Sequence, residues 1–327
     1  MKQFSTIALA AVLVSGVATN MWAKGGKAYT SAAEAGEDFA FQGEYVGEIE
    51  KEGQASPWGG NLIALGEGKF RAVGFPGGLP GDGWNGEKIP PAEGTREGNK
   101  LVCTNDHVKL VFENGAMTAF NSGGDKIGSM KKVERKSPTL GAKPPAGAVV
   151  LYAGPDDAEK WENGRADDDG NLMQGVTSKH KTQSFTAHLE FRLPFMPESQ
   201  GQARGNSGYY VQGRYEVQML DSFGLEGLDN ECGGIYKASR PKVNMCYPPL
   251  SWQTYDVDFT SAEFEGGKKV KNARITVKHN GVVIHENLEL PGATPGGKSG
   301  ETPEPGAVFL QDHGNPVRYR NIWIVEK

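Results

Sequence analysis

The stretch Gly213-Arg-Tyr-Glu-Val-Gln-Met-Leu-Asp221 places two carboxylates and an amide close together in the chain. In an extended strand alternate side chains share a face, so Glu216 and Gln218 point one way while Tyr215, Val217 and Met219 point into a core. A face carrying a carboxylate beside an amide suits an extended sugar, with the amide holding hydroxyls and the carboxylate moving a proton. Asp221 falls on the opposite parity from Glu216, and a β-bulge is the device that would turn both carboxylates into one cleft. The same residues also suit an ordinary amphipathic strand with a solvated polar face.

Parity supplies further candidates. In His188-Leu-Glu-Phe-Arg192, His188, Glu190 and Arg192 alternate with apolar Leu189 and Phe191. Gln311 and His313 flank Asp312, Arg318 and Arg320 flank Tyr319, and Asn206 and Tyr210 share a face across Gly208. If these strands are neighbours, one concave sheet gathers Glu190, Glu216, Gln218, Gln311, His313 and Arg320. Each has a plainer reading. Glu190 with Arg192 is an exposed ion pair worth under about 1 kcal/mol, His313 a structural imidazole, Arg320 a clamp on the last strand, and Trp161 and Trp252 core residues rather than stacking platforms. Glu190, Glu216 and His313 have the donor types for a divalent metal. No CxxC pair or histidine cluster supplies a ligand spacing motif.

Elements must position these groups. A chain of 327 residues accommodates about two domains, and its 46 glycines and 19 prolines fit short strands joined by turns better than long helices. Residues 24–135 read as a flexible leader followed by a small all-β domain, with short alternating runs at 44–49, 61–65, 69–73, 108–112 and 117–120. Residues 74–84 form a Gly/Pro-rich loop that displays Trp84, and the proline spacing at 136–147 predicts a semi-rigid linker. Beyond it, ten strand-like segments in residues 148–327 predict a β-sandwich or jelly roll, and no βαβ alternation competes. The net charge of −5 comes with no basic block. That speaks against nucleic acid and anionic membranes and leaves a neutral partner, a small or oligomeric carbohydrate.

Lys2, the apolar run 7–17 and the small residues that follow read as a signal peptide ending by residue 23, and hence as an exported, periplasmic or extracellular protein with no membrane insertion after processing. Of the three cysteines, Cys232 and Cys246 could form a disulfide in an oxidising compartment. Three free thiols fit equally well.

The segments Leu151-Tyr-Ala-Gly154 with Trp161, Asn206-Ser-Gly208, Gly213 to Asp221, Gly234-Ile-Tyr236, Asn280-Gly281, Leu310 to Gly314 and Arg320-Asn-Ile322, in this order, resemble the 3-keto-disaccharide hydrolase family over residues 148–327. The resemblance implies a concanavalin A-like lectin/glucanase jelly roll, export, and cleavage of the glycosidic bond of 3-keto-glycosides. It adds Tyr236 and Trp252 to the candidate substrate contacts Gln218, Gln311, Arg320, Arg192 and Asn206. The N-terminal domain and linker resemble planctomycete-type members.

For that activity the chain offers Glu216 or His313 as base, Arg320 or a divalent metal as enolate stabiliser, and Glu190 or Asp221 as acid. The Glu216, Gln218, Asp221 spacing also resembles the bulged Glu-x-Asp-x-x-Glu strand of laminarinase-type endoglucanases, from which Gln218 and Asp221 depart. Trp252-Gln253 departs from the Trp-Asn more usual in the hydrolase family. Two rival functions fit the same sheet: a non-catalytic, lectin-like carbohydrate-binding domain, and a conventional glycosidase acting on unoxidised glycans.

Overall fold

The computed structural model describes residues 26–51 and 53–327, and in them the chain is all-β with a single short α-helix, α1 (Gly36–Phe41), and two 3-10 turns, Pro155–Lys160 and Gly201–Ala203. The leader expected at residues 1–23 lies outside the described residues. Residues 26–41, read from sequence as flexible, carry a bridge from Tyr29 to Phe195 as well as α1. The Asp38 carboxylate accepts from the Gly68 amide and from Arg96.

Eight antiparallel strands follow: β1 (Gly43–Lys51), β2 (Gln54–Ala64), β3 (Lys69–Pro76), β4 (Ala92–Glu97), β5 (Lys100–Thr104), β6 (Val108–Glu113), β7 (Ala116–Asn121) and β8 (Lys126–Val133). β8 returns to pair with β1, closing a barrel. Closure leaves the first and last strands, β1 and β8, without a free edge for another chain to extend. Tyr45, Leu62, Phe70, Leu101, Phe112 and Met117 alternate inward to form its core.

The remaining strands are β9 (Val149–Tyr152), β10 (Trp161–Glu162), β11 (Leu172–Met173), β12 (Val176–Thr182), β13 (Phe185–Arg192), β14 (Ser207–Val211) and β15 (Tyr215–Met219). After these come β16 (Trp252–Thr260), β17 (Glu263–Glu265), β18 (Lys268–Lys271), β19 (Ala273–His279), β20 (Val282–Leu290), β21 (Gly306–Leu310) and β22 (Arg318–Glu326). They build a five-stranded sheet, β10-β12-β21-β14-β15, a seven-stranded sheet, β11-β22-β13-β16-β19-β20 with β9 also on β22, and a separate two-stranded ribbon, β17-β18. Val176, Tyr209 and Val217 from the first sheet share one core with Phe185, Leu189, Phe191 and Tyr255 from the second. Each sheet therefore has one face turned inward and one turned away.

The 136–147 segment is strapped to the outward face of the seven-stranded sheet. Thr139 donates to Asp256 at 2.7 Å, the Gly141 amide to Glu190 at 2.6 Å, and Asn321 to the Ala142 carbonyl at 2.9 Å. The barrel meets the sandwich through Arg204, whose Nη1 donates to the Ala64 carbonyl at 3.2 Å, and through Arg135. Arg135 pairs with Glu44 (Nε to Oε2, 2.8 Å) and lies over the Tyr247 ring.

Candidate functional site on the five-stranded sheet

The β14–β15 hairpin turns through Gln212 and Gly213, both left-handed at φ 53° and 67°, so the right-twisted strands are reversed without splaying. The turn fixes the register at Gly208 opposite Gln218 and Tyr210 opposite Glu216. Tyr215, Val217 and Met219 enter the shared core, which sends Glu216 and Gln218 to the other face, as parity requires. Gly208 makes this arrangement possible: a Cβ there would sit 2.2 Å from Glu216 Oε1.

Glu216 is 2% exposed. Its Oε2 accepts from the Tyr210 hydroxyl at 2.7 Å, and that hydroxyl accepts in turn from Gln311 Nε2 at 3.2 Å. Its backbone is pinned on both sides, the amide by Thr294 Oγ1 at 2.8 Å and the carbonyl by the Tyr236 amide at 3.2 Å. Burial pushes the Glu216 pKa up to about 7, with the Tyr210 hydrogen bond pulling the other way. The Tyr210 phenol is itself raised, by burial and then by Glu216.

Three amides surround this carboxyl in the same sense. Their nitrogens are used within the protein: Asn206 Nδ2 donates to the Gln202 carbonyl at 2.8 Å, Gln218 Nε2 to Gln202 Oε1 at 3.1 Å, and Gln311 Nε2 to Tyr210. Their oxygens, Asn206 Oδ1, Gln218 Oε1 and Gln311 Oε1, are buried with no partner. Buried acceptors left unmatched in this way call for donors from outside the chain, and hydroxyls supply them. A carboxyl poised near neutrality beside three waiting acceptors can bind a polyol and exchange a proton with it.

Other sequence candidates fall elsewhere. Glu190, Arg192, Arg320 and Trp252 belong to β13, β22 and β16 of the seven-stranded sheet, so the single concave gathering expected from parity does not form. Each sheet has its own outward face, and alternation cannot say which sheet a strand joins. Glu190 accepts from Gly141, Arg320 at 2.7 Å and Asn321 at 2.9 Å. Burial alone would raise its pKa, but hydrogen bonds from His188, Asn321, Arg320 and Gly141 outweigh that and bring it down to about 2. Trp252 lies under the guanidinium of Arg320 at 4.0 Å and of Arg192 at 5.1 Å.

Asp221 is also displaced from the expected cleft. β15 pairs with β14 without a bulge and ends at Met219. Asp221 Oδ2 then accepts from Arg204 Nε at 2.6 Å inside the fold. His313 is exposed in the turn after Gln311. Glu190, Glu216 and His313 are thus not one metal set, and among the described residues no group of three His, Cys, Asp or Glu is arranged to hold an ion. Cys232 and Cys246 are buried free thiols, not a disulfide.

The sequence singled out neither Gln202, in the single 3-10 turn Gly201–Ala203, nor Thr294, in the irregular connection between β20 and β21; both segments are too short or too irregular for periodicity to mark a face. Tyr210 was visible only as sharing a face with Asn206.

No curated protein matches the chain. Among solved structures, a crystal structure of a protein from Parabacteroides distasonis ATCC 8503, described as a "putative glycosyl hydrolase", is 33% identical with a TM-score of 0.50, covering 56% of this chain and 85% of that one. A second crystal structure from the same organism, described in the same words, is 18% identical with a TM-score of 0.38, covering 55% and 94%. A sequence model described as a 3-keto-alpha-glucoside-1,2-lyase-like domain matches residues 82–325, from the loop after β3 to the last strand. The chain belongs to the 3-keto-alpha-glucoside-1,2-lyase-like domain family.

Proposed function

We propose that the protein cleaves the glycosidic bond of 3-keto-glucosides on the outward face of the five-stranded sheet, with Glu216 as the proton-transferring group. The sandwich is read as a concanavalin A-like jelly roll, and the apolar run 7–17 as the signal that exports it. The observation that carries the reading is the buried Glu216 carboxyl, raised to about 7 and hydrogen-bonded to Tyr210, among three amide oxygens that await hydroxyl donors. The family description supplies the substrate class.

A ketone at carbon 3 acidifies the hydrogen on carbon 2. Glu216, ionised, takes that proton, and the C2–H electrons form the enolate. The enolate then collapses to a C1–C2 double bond as the C1–O bond breaks and the ketone re-forms. The departing oxygen takes a proton, which protonated Glu216 can return, and water adds across the double bond. The amide oxygens of Asn206, Gln218 and Gln311 accept from the remaining hydroxyls and fix the ring over the carboxylate.

The test is mass spectrometry of products from a 3-keto-glucoside and, in parallel, its unoxidised parent. Cleavage of the keto sugar alone, lost in Glu216→Gln, supports the proposal. Cleavage of the parent points to a conventional glycosidase, and binding without cleavage to a lectin-like module.

A further inference from the structure

Gln202 is an exposed residue of the turn Gly201–Ala203, yet two amides of the Glu216 face are oriented by it. Asn206 Nδ2 donates to its backbone carbonyl at 2.8 Å and to its Oε1 at 3.2 Å. Gln218 Nε2 donates to the same Oε1 at 3.1 Å. The Gln202 Nε2 points the other way and donates to the Asn230 carbonyl at 2.8 Å.

That last bond fixes the sense of the others. A primary amide can be turned end for end with almost no change of shape, exchanging donor for acceptor, so its orientation is decided by its partners. A backbone carbonyl only accepts. Asn230 therefore obliges Gln202 to give it Nε2 and to turn Oε1 toward the neighbouring amides. Gln218 answers with its nitrogen, which leaves its own buried oxygen without a partner.

The frame around Asn230 is tied to Gln218 itself. The Gln218 amide donates to the Gly234 carbonyl and its carbonyl accepts from the Gly233 amide, both at 2.9 Å. At the other end the Arg204 amide closes the turn on the Gly201 carbonyl at 3.1 Å, and the Arg204 side chain is held by Asp221. The two amides differ in what holds them. Asn206 keeps its sense through a backbone carbonyl that no substitution at 202 removes, whereas among the described residues Gln218 Nε2 has its acceptor only in the Gln202 side chain.

We infer that Gln202 is the positioning residue that sets the sense of the Gln218 amide, and through it makes the site select a sugar that donates a hydroxyl at that point over one that offers only an acceptor. The selection rests on the reading of the Glu216 face as the sugar site. The orientation of Gln218 does not.

The experiment compares the full chain with Gln202→Met, of similar length but without the amide oxygen, and Gln202→Glu, which keeps an oxygen for Gln218 and gives up the bond to Asn230. Without any sugar, NMR of the 15N-labelled proteins should show a Gln218 Nε2 proton shifted downfield in the parent and in Gln202→Glu and returned to the free-amide position in Gln202→Met. Kinetics then use a 3-keto-glucoside and its analogues with fluorine in place of each hydroxyl in turn, since fluorine cannot donate. In the parent one analogue should raise KM about two- to tenfold with kcat little changed. Gln202→Met frees Gln218 to turn its nitrogen to the fluorine and should remove most of that penalty, and Gln202→Glu should retain it. A role in holding the turn alone predicts the reverse order, because the glutamate sets a carboxylate against the Asn230 carbonyl. Gln218 signals that ignore Gln202→Met, or one fluorine penalty common to all three proteins, overturn the inference. Failure of the parent to cleave any of these sugars would sink the proposed function instead, and the Gln218 signals would still decide whether Gln202 orients that amide.

Discussion

Tyr210 and Glu216 are direct cross-strand partners, and the tyrosine hydroxyl donates to the glutamate carboxylate at 2.7 Å on the face turned away from the core. Burial and this hydrogen bond act on Glu216 in opposite directions, and burial prevails. The carboxylate is thus costly to ionise in the fold yet held by a single strong donor, the balance a proton-transfer group near neutral pH requires.

For a base the ionised form is active, so kcat/KM for a 3-keto-glucoside should rise with pH through a midpoint of about 7. In Tyr210→Phe the charged form loses its donor, the Glu216 pKa climbs further, and the rising limb moves to higher pH. A pH–rate profile of both proteins checks this. A limb that stays in place would separate the titration from Glu216.

Stability should respond with a definite sign. The folded pKa of Glu216 lies above its ordinary value of 4.5. Its contribution is therefore fully present below pH 4.5 and lost as pH rises through about 7. Glu216→Gln should match the parent at pH 4 and exceed it at pH 8 by up to about 3 kcal/mol, read from urea unfolding at the two pH values.

Glu190 behaves oppositely. Its folded pKa is depressed to about 2, so its contribution is present above pH 4.5 and lost as pH falls toward 2. At pH 7 Glu190→Gln should cost about 2–3 kcal/mol. It should also change the fluorescence of Trp323, whose indole donates to the Ala142 carbonyl of the strapped segment. Turnover per folded molecule should hold, and a loss of several orders of magnitude would restore Glu190 to the chemistry.

Asp221→Asn leaves the buried Arg204 guanidinium without its counter-charge, at a cost of about 3–5 kcal/mol. Replacing both residues with apolar side chains of similar size should recover much of that loss. Denaturant titrations of the two single variants and the double variant measure the coupling.

The strands were legible because their alternation is strong. Tyr215, Val217 and Met219 against Glu216 and Gln218 gave the correct inward and outward faces, and the segments expected after residue 148 fall close to observed strands, except that the one at 172–176 spans the turn between β11 and β12 and leaves most of β12 unmarked. In the barrel, the expected runs left β4, β5 and β8 unmarked; in β4 only Ala92 of the six residues is buried, so its sequence carries no apolar alternation. What alternation could not supply was sheet membership. Glu190 sits between Leu189 and Phe191 as cleanly as Glu216 sits between Tyr215 and Val217, yet the two carboxylates lie on different sheets. That partition is decided by long-range pairing, β13 with β16 and β22 in one sheet and β14 with β21 in the other. Asp221 shows the same limit at close range: its partner Arg204 lies on the far side of the hairpin and no local spacing points to it.

The Glu216 amide bonds to no neighbouring strand. It ends on the hydroxyl of Thr294, in the long connection between β20 and β21. Its exchange with heavy water is therefore timed by the departure of that connection rather than by unzipping of the sheet, and a single backbone proton keeps the clock of how often the carboxyl beneath it is uncovered.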